Sequence, residues 1–80
     1  MVSIKDAFMS AKKENPNVTF GVCLETSDKY IFMPRQNEDR IIWGFTGVPI
    51  SKITGKWVAF NPAIHDKDMN DFRNANVITL

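Results

Sequence analysis

Two short apolar runs, Val48 to Ile53 and Lys56 to Phe60, flank the dipeptide Thr54-Gly55, and the second run stops at Pro62. Glycine takes a positive φ at no steric cost, so this spacing predicts a β-hairpin closed by a tight turn at Thr54-Gly55. Pro49 lacks an N–H and suits an edge position or the start of a strand. The stretch from Gly47 to Pro62 is therefore read as the part around which the chain is organised.

Upstream, Val18 to Glu25 alternates. Val18, Phe20, Val22 and Leu24 are expected on one face of a strand, with Thr19, Gly21, Cys23 and Glu25 on the other. Thr26-Ser27-Asp28-Lys29 has turn chemistry, and Tyr30 to Met33 reads as a second strand ended by Pro34, which completes a first hairpin. Before it, Ser3 is placed to cap a helix, with Asp6 three residues on in a shortened capping box. Ile4, Ala7, Phe8 and Ala11 fall at i, i+3, i+4 and i+7 and make one apolar stripe, and Asn15-Pro16-Asn17 ends the helix. Lys12 and Lys13 suit the negative end of its dipole.

Arg35 to Arg40 is polar throughout and reads as a solvated loop. Ile41 to Phe45 follows as a third strand or an extended connector, with bends or a bulge at Gly44 and Gly47. After Pro62, Asp66 is placed to cap a short helix with Met69 and Phe72 as its buried pair and Arg73 near its end. Val77 to Leu80 is a final apolar strand or tail. The order predicts an α+β fold: an N-terminal helix packed on a mainly antiparallel sheet of about four strands, formed as two hairpins, then a short C-terminal helix and the tail.

Eighty residues with 44% apolar and 11% aromatic content are enough for one compact core, so residues 1–80 are read as a single small domain. The net charge of +1 comes without a basic stripe, which argues against nucleic acid as a partner. A lone cysteine, Cys23, rules out an internal disulfide framework and fits a reducing compartment. No apolar run approaches the ~20 residues that span a bilayer. The opening residues lack the apolar core of a signal peptide, which makes the cytoplasm the expected location and a membrane an unexpected partner.

Little in the chain suggests chemistry. Cys23 sits mid-strand between Val22 and Leu24 with no basic neighbour to stabilise a thiolate, and it reads as a small buried or half-buried hydrophobe. His65 is the only histidine, and with Cys23 it leaves too few ligands for structural zinc. Asp66-Lys67-Asp68-Met69-Asn70-Asp71 has oxygen side chains at alternate places like a calcium loop. Asp71, however, stands where that loop needs glycine, and Val77 stands where it needs glutamate. No phosphate-cradling, nucleophile-elbow or zinc-protease motif occurs. The expectation is a protein that is not an enzyme, with no cofactor and no metal.

What remains is aromatic surface. Alternation puts Trp57 and Ala59 on one face of their run and Val58 and Phe60 on the other, so either both faces are covered within the chain or a partner covers one. Trp43, Phe45 and Trp57 are the candidate contact residues for a protein partner, or for a second copy sealing an edge strand, with Arg35 and Arg40 setting charge complementarity. The alternative is a small-ligand or regulatory domain with a pocket between sheet and helix near Tyr30, Trp43 and His65.

The segment Gly47-Val48-Pro49-Ile50-Ser51-Lys52-Ile53-Thr54-Gly55-Lys56, after a leading helix and a strand pair and before a short helix from Asp66, resembles the YrhB-like and immunity-protein-35-like small α+β domains. Those carry a Pro-x-x-Val-Asp-Lys-x-Thr-Gly type of hairpin. Ser51 stands here where that family tends to have an acidic residue, and the tryptophan of its central strands has no clear counterpart between Val18 and Met33. The resemblance implies a small cytoplasmic binding protein, of the kind that neutralises a toxin by covering its active site. It carries over no catalytic residue.

Overall fold

The computed structural model describes residues 1–35 and 47–80. Along them run α1 (Ile4–Glu14), β1 (Phe20–Glu25), β2 (Lys29–Pro34), β3 (Val48–Ser51), α2 (Asp66–Arg73) and β4 (Asn76–Thr79). The strands form one antiparallel sheet in the order β3-β2-β1-β4, so the chain has the expected α+β fold. The stretch Gln36 to Arg40 and the strand or connector read at Ile41 to Phe45 lie outside the described residues.

α1 forms as its pattern requires. Ser3 Oγ accepts the Asp6 N–H at 3.2 Å, which satisfies one of the donors a helix start leaves open. Asn15 closes the other end: its backbone N–H and its side-chain amide both donate to the Ala11 carbonyl, at 3.1 Å each. Ala7 and Ala11 are fully buried, while Ile4 and Phe8 beside them pack on the core. The two alanines let the helix lie close on the sheet, and Phe8 reaches down into it.

The alternation expected across Val18 to Glu25 does not survive intact. Phe20 pairs with Pro34 but Val22 pairs with Met33, so the register slips by one residue at Gly21. The extra residue of a β-bulge exchanges the faces of everything beyond it. Phe20 and Cys23 consequently share the buried face under α1, whereas Val22 and Leu24 turn to the opposite face and are half-buried. The Arg35 backbone runs past Gly21, and a Cβ there would meet Arg35 Cα at 3.4 Å, an ordinary contact.

The second hairpin is narrower than its sequence suggests. β3 stops at Ser51, and Ile53 is 79% exposed rather than part of a strand. Ser51 Oγ accepts the N–H groups of Ile53 and Thr54 at 3.1 and 3.3 Å, which curls the chain away from the sheet. The Ser51 N–H donates to the Lys56 carbonyl at 2.9 Å, so the turn spans Lys52 to Gly55 instead of Thr54-Gly55 alone. Gly55 holds the positive φ, 73°. The returning arm touches β3 through a single bridge, Ile50 to Trp57. The fourth strand of the sheet is the C-terminal segment, β4, laid against β1.

α2 also departs from expectation. Its N-cap is His65, which makes no capping hydrogen bond with its side chain, and Asp66 is already helical. Met69 and Phe72 are half-buried, and no residue of α2 is fully buried. Asp68, rather than capping the helix, accepts the Asn61 N–H at 2.9 Å and ties the preceding turn to it.

The core between α1 and the sheet is built on Phe32. Its ring lies 5.7 Å from Phe8, 5.9 Å from Phe20 and 6.4 Å from Tyr30, and the contact with Phe8 is edge-on. At Gly55 an added Cβ would combine a disfavoured φ with a 3.2 Å approach to Val2 Cγ2. Gly55→Ala is expected to lower stability by about 1 kcal/mol or more, measured by urea unfolding, with little change in the slope of the transition.

Candidate protein-binding surface

Trp57 leaves the single bridge on the same side of the sheet as Ile50, and it is 62% exposed. It borders a depression between α1 and the Lys52–Gly55 turn, together with Ser10, Lys13, Glu14, Gly55 and Lys56. Ile50 lines it too, so the indole and this apolar side chain lie among small residues and charges of both signs. The backbone positions Trp57 firmly: the Val58 N–H donates to the Pro49 carbonyl at 3.1 Å, just beyond the Ile50 to Trp57 bridge. On the other face of the same run Phe60 is 8% exposed, with the Lys29 ammonium 5.4 Å above its ring.

Of the other contact candidates, Arg35 is exposed at the end of β2, where its N–H donates to the Thr19 carbonyl at 2.7 Å. Tyr30, paired with Ile50 in the strand beside Trp57, is five residues from Arg35. At strand spacing this puts the two candidates roughly 16 Å apart along β2. Arg40, Trp43 and Phe45 lie outside the described residues.

Among the described residues, Cys23 and His65 stand on different elements. Cys23 is fully buried in the core under α1, and burial, with the Glu25 charge adding to it, pushes its thiol up to about 11. His65 is exposed at the start of α2. Tyr30 is buried beneath α1, with the Lys52 ammonium 5.0 Å above its ring. The carboxylates read as a partial calcium loop belong to α2 instead: Asp71 accepts from Lys67 at 3.2 Å and also faces Lys29 at 3.9 Å. Among the described residues no group of three or more His, Cys, Asp or Glu side chains could hold a metal ion, and no helix is long and apolar enough to cross a membrane.

Two buried lysines went unnoticed as a sequence pattern. Lys52 pairs with Glu25 at 3.0 Å on the α1 face of the sheet, and Lys29 pairs with Asp28 at 2.9 Å on the other. The sequence reads Lys29 as the last residue of a turn and Lys52 as part of the run Val48 to Ile53; Lys29 is instead the first residue of β2 and Lys52 follows the last residue of β3.

Comparison of the chain with protein-family models, with characterised proteins and with solved structures finds no match.

The hydrogen bond from Lys29 is the main reason the Asp28 carboxyl lies below its ordinary 3.8. Stability from this pair is present above the ordinary carboxylate range and is lost as pH falls through the depressed value. Asp28→Asn should therefore flatten the acid limb of a melting-temperature profile below about pH 4, with a much smaller change in its shape near neutrality. Cys23 provides a second check. An aromatic disulfide reagent at pH 8 should react with it only as fast as the protein opens, accelerating with urea, whereas reaction at a free-thiol rate would mean that the core is open at Cys23.

Proposed function

We propose that this chain is a non-enzymatic protein-binding module that offers Trp57 to a protein partner. The observation that carries the reading is the contrast along one run of chain: Phe60 is buried and Trp57, three residues earlier, is 62% exposed. A tryptophan left in water beside a firmly held turn adds nothing to the core, while the same indole covered by a partner is among the strongest single contributors to an interface. Sequestration of Cys23 with a raised thiol pKa, on a different element from His65, favours binding over nucleophilic catalysis. The resemblance at Gly47 to Lys56 extends the reading to an immunity or inhibitor type of protein, which acts by covering a toxin's working surface. A lone, buried cysteine is compatible with work in the reducing cytoplasm.

The test is paired capture with wild-type protein and Trp57→Ala as baits. The expected result is a protein that wild type retains and the variant loses by about tenfold or more. The melting temperature of the variant should stay near that of wild type, as for other exposed positions. If Trp57→Ala unfolds the protein as a core truncation would, or retains the same partner equally well, the reading is wrong.

A further inference from the structure

The two edges of the sheet differ in kind. At β3 the outward backbone groups are already engaged: the Ser51 N–H donates to Lys56, the Pro49 carbonyl accepts from Val58, and Pro49 has no N–H to offer. At β4 the Leu80 N–H donates to the Gly21 carbonyl at 3.2 Å. In an antiparallel ladder alternate residues turn both backbone groups to the same neighbour, so Asn76, Ile78 and Leu80 face β1 while Val77 and Thr79 face outward. No described residue meets those outward groups. The strand carries no charge, no proline and no bulge, the usual devices that guard an edge. Val77 is 67% exposed, and beside the strand Ile4, Phe8, Ile78 and Leu80, with Lys5 among them, line a mainly apolar depression.

We infer that β4 pairs antiparallel with β4 of a second copy of this chain, joining two four-stranded sheets into one of eight. The inference rests on the binding-module reading and adds a self-contact on the far edge from Trp57. The second copy is favoured because β4 is complementary to itself. With Ile78 opposite Ile78, Val77 of each copy meets Thr79 of the other, and each such pair exchanges two N–H to carbonyl bonds. All the outward groups of both strands are then satisfied. The Ile78 side chains meet in a non-hydrogen-bonded pair, where strands approach most closely, next to the apolar depressions of both copies. A register with Val77 opposite Val77 would call on the Ala75 N–H, which already donates to the Phe72 carbonyl at 3.4 Å. A net charge of +1 raises little repulsion between copies.

Light scattering on the full chain tests this, and the expected mass is twice 9.1 kDa. Val77→Lys, at an exposed position, should halve that mass with the melting temperature of a folded protein, while Ile53→Lys, still more exposed on the far turn, should remain dimeric. Hydrogen exchange on the wild type, which depends on no variant folding, should slow at Val77 and Thr79 by about tenfold or more between dilute and concentrated protein. A monomeric mass at every concentration, a dimer that survives Val77→Lys, or a dimer whose Val77 and Thr79 amides exchange freely would overturn the inference. A monomer that still captures a Trp57-dependent partner overturns self-pairing alone. A β4 dimer with no Trp57-dependent partner overturns the binding-module reading alone.

Discussion

Phe32 is the point at which every part of the main core meets. It is fully buried on β2, an interior strand, and its ring touches rings from α1, β1 and its own strand. A small domain buries a modest share of its surface, so one such cluster carries much of what holds the layers together. The alanines at positions 7 and 11 are the complement of this cluster, because only small residues allow α1 to come near enough for Phe8 to reach Phe32.

At the end of the sheet where β1 turns into β2, apolar packing gives way to two lysines, one on each face. Lys52 lies over Tyr30 and meets Glu25, while Lys29 lies over Phe60 and meets Asp28 and Asp71. In both cases the ammonium stands over an aromatic ring and also meets a carboxylate. Lys29 also links the sheet to α2, an element with no fully buried residue of its own. The less apolar side of the molecule is thus joined by charge as well as by contact.

The parts of the fold that could be read from the residues were those controlled locally. The Ser3 cap, the stripe on α1, the first hairpin and the α+β order all follow from spacing and turn chemistry, and all are present. The departures lie where a single residue redirects the chain. A bulge at Gly21 exchanged the faces of β1, and alternation carries no mark of an inserted residue. The Ser51 hydroxyl diverted two N–H groups from a strand to a turn, against the β-propensity of Ile53. Alternation separated Trp57 from Phe60 without saying whether the chain covers both faces, and the structure buries Phe60 while Trp57 stays 62% exposed.

The returning arm at Lys56 to Val58, slight as it is, takes up the outward backbone groups of β3 and leaves only the short, irregular arm at that side of the sheet. A sheet extensible at both margins is a polymer waiting to nucleate, since each added copy presents a fresh margin to the next. With the outward groups of β3 taken up, a pair joined at β4 has an irregular arm at each end and little for a further copy to pair with. If copies do pair at β4, a few hydrogen bonds from an irregular turn would separate a finite assembly from a fibre.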